Sequence, residues 1–148
     1  MTQILTIKKI ISTLIISSAT ILSCSLQPDV ENEAQFVRNF YTNYMSIVLS
    51  DLSLREMNEE LEQLVSRSCT EDLINRLPSK MKKSGADVFL KSQDCNKYAL
   101  ESLKIEQLDG TVDNIFLVQY TDSFADETVE IHISLEKMKG QLLINNVW

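Results

Sequence analysis

One stretch near the carboxyl-terminal end of the sequence alternates strictly between apolar and polar residues. Its apolar members are Val129, Ile131, Ile133 and Leu135, and the residues between and after them are Glu130, His132, Ser134 and Glu136. Because successive side chains of a β-strand point to opposite faces, this alternation predicts a strand with one buried face and one solvent face. Strands of that kind belong to antiparallel sheets, which leave one face to water. The rest of the chain must therefore supply elements that cover the apolar face.

The neighbouring sequence predicts three more strands. Apolar and charged residues alternate over 103–106, and Asp109-Gly110 after them is a hairpin-turn signal. The segment 115–121 is apolar on both faces, which predicts a central strand. A turn at Lys139-Gly140 then leads into a last strand over 142–148. Together the four strands predict an antiparallel meander.

The first half of the chain follows the helical period instead. Residues 31–49 predict a first helix, and its apolar stripe consists of Phe36, Val37, Phe40, Tyr44, Ile47 and Val48. Ser53 and Glu56 have the form of a capping box, which begins a second helix. Thr70 caps a third helix, which Pro78 ends or bends, and 80–94 is transitional. Three helices followed by an antiparallel sheet of about four strands predict the α+β class.

The N-terminal segment has the composition of a secretory signal. Lys8 and Lys9 precede an apolar run of roughly 14 residues, which is shorter than the ~20 that cross a bilayer as a helix. The run ends at Ile21-Leu22-Ser23-Cys24, which resembles the lipobox of bacterial lipoproteins. We therefore expect cleavage before Cys24 and lipid on its thiol; the alternative is an ordinary signal peptide with an incidental cysteine. Ser25, where an aspartate would resemble an inner-membrane retention signal, favours the outer membrane.

Cleavage at this point would define the organisation and the charge of the mature protein. A lipidated tether would occupy residues 24–33 and a single α+β domain residues 34–148. The removed segment contains two lysines and no acidic residue, so the net charge changes from −7 to −9. Nucleic-acid binding needs clusters of Lys and Arg that neutralise phosphates, and an acidic balance argues against it. The expected partners are the membrane, through the lipid on Cys24, and a small ligand or another envelope protein.

Two cysteines remain once Cys24 is lipidated. Cys69 and Cys95 are an even number in an exported chain, which is consistent with a disulfide. Such a bond would close a loop of about 26 residues and stabilise the fold by roughly 3–4 kcal/mol in the chain-entropy model. The alternative is two buried thiols, an environment that cysteine also favours. Two cysteines and one distant histidine lack the spacing of a zinc site, so we expect no metal.

Four groups of residues carry a resemblance to a known family. They are Phe36 to Met45, Ser68 to Ile74, Asp87 to Asp94 followed by Ser102 to Ile105, and Gly140 to Val147. In the same order, these segments resemble the opening helix, the start of a helix after a cysteine, an acidic segment before the first strand, and the closing hairpin of one family. That family consists of small exported proteins with an uncharacterised domain, DUF 3828. The resemblance implies a cone-shaped fold like nuclear transport factor 2 and the cystatin-like proteins, with helices against a curved sheet. It implies no activity, cofactor or catalytic residue, and Leu143 stands where the family has an aromatic.

Three tyrosines and two aspartates are candidates for a pocket. Tyr41, Tyr44 and Tyr120 would line the mouth of the cone, or they would lie in the core with their hydroxyl groups at its rim. Asp87 and Asp94 would form a carboxylate pair for acid–base chemistry or hold a cation, or they would cap the turn between them.

The single histidine has two interpretations as well. His132 would act as a general base beside a carboxylate, or it is a solvated residue of its strand. The sequence contains no phosphate-binding glycine loop, nucleophile elbow or metal-ligand cluster. We therefore expect a lipid-anchored, noncatalytic envelope domain that binds a small ligand or another envelope protein. The alternatives are an immunity-type inhibitor of a toxin or hydrolase, and a small enzyme that uses the cone pocket.

Overall fold

The computed structural model describes residues 27–92, 95–108 and 114–148 of the chain. Within these ranges, helices come first and a sheet follows, so the predicted α+β class is confirmed. The elements are α1 (Gln27–Val48), α2 (Leu54–Ser68), α3 (Glu71–Ser84), α4 (Lys97–Glu101), β1 (Lys104–Gln107), β2 (Ile115–Asp122), β3 (Glu127–Met138) and β4 (Gln141–Val147). Cys24, Asp94, the Asp109-Gly110 turn and the predicted signal segment lie outside the described residues.

The four strands form one antiparallel sheet in the order β1-β2-β3-β4, which is curled but not closed. The alternation along β3 has the predicted effect, because Ile131, Ile133 and Leu135 are buried. Val118 of β2 lies opposite Ile131, and Phe116 lies opposite Ile133, so the two strands share one apolar face. A register shift between Ser134 and Leu135 interrupts the pairing of β3 with β4.

Helix α1 covers the apolar face of this sheet. Its buried residues are Val37, Phe40, Tyr41, Tyr44 and Met45, which belong to the same core cluster as the buried residues of β2, β3 and β4. Phe40 and Tyr44 also pack against Phe89, a residue of the loop after α3, with ring centroids 5.1 and 5.3 Å from that of Phe89. The core therefore joins α1, the sheet and this loop.

Helix α1 begins earlier than the sequence pattern predicted. Residues 27–33, which we expected to form most of a nonhelical tether, are the first two turns of this helix. The expectation rested on Pro28, but a proline in the first turn removes a backbone N–H that has no partner within the helix in any case. The helix therefore begins before the predicted start near residue 31, and the tether over residues 24–33 stays a prediction.

The predicted caps of α2 and α3 are present. Ser53 and Glu56 form a reciprocal capping box at α2, and the Thr70 hydroxyl accepts a hydrogen bond from the N–H of Leu73 at α3. Pro78 does not end α3, which continues to Ser84. Helix α3 ends instead at Gly85, whose φ of 70° lies in the left-handed region that closes many helices. The short helix α4, capped by Asn96, was not predicted.

Candidate functional site

The three candidate tyrosines lie in the core rather than at the mouth of a pocket. Tyr41, Tyr44 and Tyr120 are 0%, 4% and 2% exposed. Tyr41 and Tyr44 follow the stripe of α1 that faces the sheet, and Tyr120 shares the core face of β2 with Phe116 and Val118. Of these rings, that of Tyr120 also borders a recess of about 470 Å³. Of the two interpretations of the tyrosines, the structure shows the core placement.

Asp87 fixes the loop after α3 to this core. Its Oδ2 accepts a hydrogen bond from the hydroxyl of Tyr44 at 2.5 Å. Its Oδ1 accepts the backbone N–H groups of Phe89 at 2.7 Å and Leu90 at 2.9 Å. Asp87 thus has the turn-capping geometry described above, and its carboxylate is fully engaged with groups of the protein.

The hydroxyl groups of the other two tyrosines lie nearby. The Tyr120 hydroxyl donates to the carbonyl of Leu90, in the loop that Asp87 caps. The Tyr41 hydroxyl has no hydrogen-bond partner among the residues that the structure describes. Burial, and next to it the charge of Asp87, raises the pKa of Tyr41 and Tyr44 well above the usual tyrosine value. Tyr41 and Tyr44 are therefore neutral at physiological pH; both pack in the core, and Tyr44 also donates a hydrogen bond.

Both candidate disulfide cysteines, Cys69 and Cys95, are buried. Cys69 ends α2 and forms a bridge with Ile144 of β4, and burial raises the pKa of its thiol to about 12. The thiol of Cys95 donates to the carbonyl of Asn96 at 3.7 Å, before α4. The disulfide between Cys69 and Cys95 therefore stays a prediction.

His132 lies on the outer face of the sheet, where it stacks on Trp148. The two ring centroids are 5.9 Å apart and the ring planes differ by 17°. The main chains of the same two residues pair as well, through N–H to carbonyl bonds of 2.9 and 3.0 Å. None of the described contacts joins His132 to Asp87. Of the three candidate acid–base residues, His132 and Asp87 thus share no contact in the described part of the chain, and Asp94 lies outside it.

A cleft of about 480 Å³ opens beside Trp148, between the end of α3 and the loop that follows it. We call it the Trp148 cleft. Its lining consists of Lys80, Lys83, Ser84, Ala86, Asp87, Val88, Lys91, Val147 and Trp148. Its volume lies in the range of small-molecule sites. Of the described residues that the sequence singled out for a pocket, only Asp87 lines this cleft, and its carboxylate already accepts three hydrogen bonds from the protein.

Lysines dominate the polar lining of this cleft. Lys80 and Lys83 come from α3, and Lys91 comes from the loop after it. The ammonium of Lys80 donates to the carbonyl of Val147 at 2.7 Å, and that of Lys91 donates to the carbonyl of Glu130 at 2.7 Å. Among the described residues, no ion pair involves any of the three lysines; the pairs present are Arg55–Glu59, Arg76–Asp72 and Lys97–Glu101.

The positive charges of α3 lie close enough to affect one another. Partial burial lowers the pKa of Lys80, and the neighbouring charges of Arg76 and Lys83 lower it further. Arg76 is itself neutralised by Asp72 at 2.9 Å, but Lys83 has no such partner in the described part of the chain. The lining of the cleft thus contains three lysines and one carboxylate, that of Asp87, so mutually repelling positive charges outnumber negative ones there although the net charge of the chain is −7. An anion would relieve this repulsion.

One pattern in the sequence indicates this site, but the acidic composition obscured it. Arg76, Lys80 and Lys83 follow one another at four- and three-residue steps, so they share one face of a helix. Lys91 and Trp148 lie far from them in the sequence, and only the fold brings them to the same cleft. An overall acidic balance concealed the basic face because net charge carries no information about placement.

Comparison with known proteins supports the fold. A crystal structure, at 2.10 Å resolution, of a protein of unknown function from Bacteroides thetaiotaomicron VPI-5482 is similar to this chain with a TM-score of 0.73. The two share 20% sequence identity, and the match covers 81% of this chain and 91% of the other. At this level of identity the similarity concerns the fold alone. No family model and no curated protein matches the chain.

Proposed function

We propose that this protein is a lipid-anchored, noncatalytic domain of the cell envelope that binds a small anionic ligand in the Trp148 cleft. The observation that carries the ligand proposal is the group of Lys80, Lys83 and Lys91 around one cleft of an acidic protein. Charge-assisted hydrogen bonds from lysine to a carboxylate or phosphate are among the stronger polar contacts in proteins. The buried tyrosines support a site outside the cone, because they fill its interior.

The anchoring part of the proposal rests on the sequence before the described residues. Ile21-Leu22-Ser23-Cys24 follows an apolar run of signal-peptide length, and Ser25 favours the outer membrane. Within the described residues, no helix has both the length and the apolar character that a membrane crossing requires. The resemblance to DUF 3828 domains likewise remains a prediction, and it agrees with a small exported domain.

The anchor is tested by membrane fractionation of cells that produce Cys24→Ala. We expect the variant to leave the membrane fraction and to accumulate with its N-terminal segment uncleaved. Ser25→Ala is the matched control, because it changes the adjacent residue and keeps the thiol, and it should fractionate like the wild type. A Cys24→Ala protein that stays in the membrane with the wild-type processed N-terminus would contradict lipid attachment at this position.

The ligand proposal is tested by calorimetric titration with inorganic phosphate and with short organic acids. Lys83→Gln should weaken binding by roughly 10- to 100-fold, since a hydrogen bond to a charged group contributes about 1.5–3 kcal/mol. Lys82→Gln is the matched control, because Lys82 is the adjacent exposed lysine of α3 and does not line the cleft. Equal affinities for the two variants would show that anions bind by overall charge, and the cleft would lose its assigned role.

A second candidate function is recognition of another protein, as in an immunity-type inhibitor. Phe124 is 75% exposed in the turn between β2 and β3, and acidic Asp122, Asp126 and Glu127 flank it. Exposed aromatic residues often act as interface anchors. The test is whether production of this protein protects cells against candidate toxins and hydrolases. A Phe124→Ser variant should protect less than Leu54→Ser, whose leucine is 71% exposed outside this turn.

A further inference from the structure

The Trp148 cleft combines the lysines with an apolar wall. Val88, Val147 and the indole of Trp148 form this wall, and Trp148 is 45% exposed. Val147 is buried, so Val88 and Trp148 supply nearly all of the accessible surface of the wall. An inorganic anion would contact the lysines and leave the wall in water. An organic ligand with an apolar body would cover the wall as well, and removal of that surface from water favours binding.

The indole of Trp148 is held in a fixed position for such a ligand. The imidazole of His132 stacks on it, and the main chains of the two residues are paired through both of their N–H groups. The ring therefore loses little conformational freedom when a ligand arrives. Flat π-systems stack in offset parallel arrangements, so an indole that is fixed in this way selects a flat partner over a puckered one.

We propose that the ligand of the Trp148 cleft is a flat, unsaturated organic anion, with its ring against Trp148 and its carboxylate, phosphate or sulfonate group at Lys83 and Lys80. This inference rests on the proposed anion-binding function and adds the class of ligand. Lys83 supplies the charge that has no ion-pair partner in the described chain. The ammonium of Lys80 already donates to the carbonyl of Val147, so it offers its positive charge to the ligand from a fixed position.

The experiment follows the indole N–H resonance of the intact protein by NMR during titration with small probes. Trp148 is the only tryptophan of the sequence, so this signal is assigned without ambiguity. The probes are 2-naphthoate as a flat anion, cyclohexanecarboxylate as a puckered anion, inorganic phosphate as an anion without a body, and 2-naphthalenemethanol as a flat neutral ring. We expect 2-naphthoate to bind at least tenfold more tightly than the other three and to shift the indole signal upfield by its ring current.

Two substitutions separate this inference from the function on which it rests. Trp148→Leu has no indole signal, so its affinities are measured by calorimetry; it should lose the preference for 2-naphthoate over cyclohexanecarboxylate and keep phosphate binding within about twofold. Lys83→Gln should weaken every anion by tenfold or more, and Lys82→Gln should not. If all anions bind alike and depend on Lys83, the ligand class is wrong and the anion-binding function stands. If 2-naphthalenemethanol binds as well as 2-naphthoate, the ligand needs no anionic group, and its placement at Lys83 and Lys80 is wrong. If no anion depends on Lys83, both proposals fail.

Discussion

Replacement of Asp87 by alanine should destabilise the protein by about 3–4 kcal/mol. The carboxylate accepts the Tyr44 hydroxyl and the two N–H groups of Phe89 and Leu90. A hydrogen bond to a charged group contributes about 1.5–3 kcal/mol when both partners are buried. Tyr44 is 4% exposed, so its hydroxyl would be left without an acceptor. The two N–H groups lie in a partly exposed loop where water replaces part of the loss, and their joint contribution is therefore closer to 2 kcal/mol.

A small set of variants checks the components of this value. Tyr44→Phe removes only the 2.5 Å contact and should cost about 1–2 kcal/mol. Asp87→Asn retains an acceptor for the backbone N–H groups and should cost less than Asp87→Ala. The double variant Tyr44→Phe/Asp87→Ala should show a coupling of about 1–2 kcal/mol, because each single change removes the same contact.

The assay is urea unfolding followed by far-ultraviolet circular dichroism, with the free energy extrapolated to water. Two outcomes would refute the reasoning. One is an Asp87→Ala protein within 1 kcal/mol of the wild type, which would mean that water fully replaces the carboxylate. The other is strict additivity of the two changes, which would mean that the hydroxyl and the carboxylate contribute independently.

Three further predictions concern α2, α3 and the thiol of Cys69. Pro78→Ala should raise the free energy of unfolding by about 1–3 kcal/mol in urea, because Pro78 is exposed in the middle of α3 and interrupts its backbone bonds. Ser53→Ala should lower it by about 1 kcal/mol at neutral pH. Hydrogen bonds from the Ser53 side chain, and next its backbone, lower the pKa of Glu56, so this deficit should shrink in urea titrations as the pH falls through that pKa. For Cys69, a folded pKa of about 12 against an ordinary 9.0 means that stability is complete below pH 9 and declines as the pH rises toward 12. The wild type should therefore lose about 1.4 kcal/mol relative to Cys69→Ala between pH 8 and pH 10, and a constant difference would contradict the shift.

The sequence predicted the elements whose signals are local. The alternation along β3 needs only the pleat of one strand, and the caps at Ser53 and Thr70 need only the four residues that form each of them. The burial of α1 also followed from its stripe. The start of α1 was misjudged because Pro28 is compatible with a tether and with a first helical turn alike, and no local rule separates the two.

The candidate site was not predictable in the same way. Tyr41 and Tyr44 are amphipathic, so their positions on the stripe were compatible with a pocket rim and with the core. Tyr44 packs against Phe89, which comes from a loop more than forty residues away. The Trp148 cleft requires the end of β4 to meet the end of α3, a long-range contact that leaves no periodic pattern in the sequence.

The outer edge of β4 has a consequence for how this protein behaves at high concentration. Its carbonyl groups at Ile144, Asn145 and Val147 are occupied by the N–H of Thr70 and by the side chains of Arg76 and Lys80. A strand from a second molecule would have to displace all three donors before it paired there. Cross-β self-association is therefore blocked on this side by side chains of α3 and its cap. At the opposite edge, β1 has only four residues, and its charged residues Lys104 and Glu106 are both exposed. A short, charged edge strand also disfavours pairing with a second molecule.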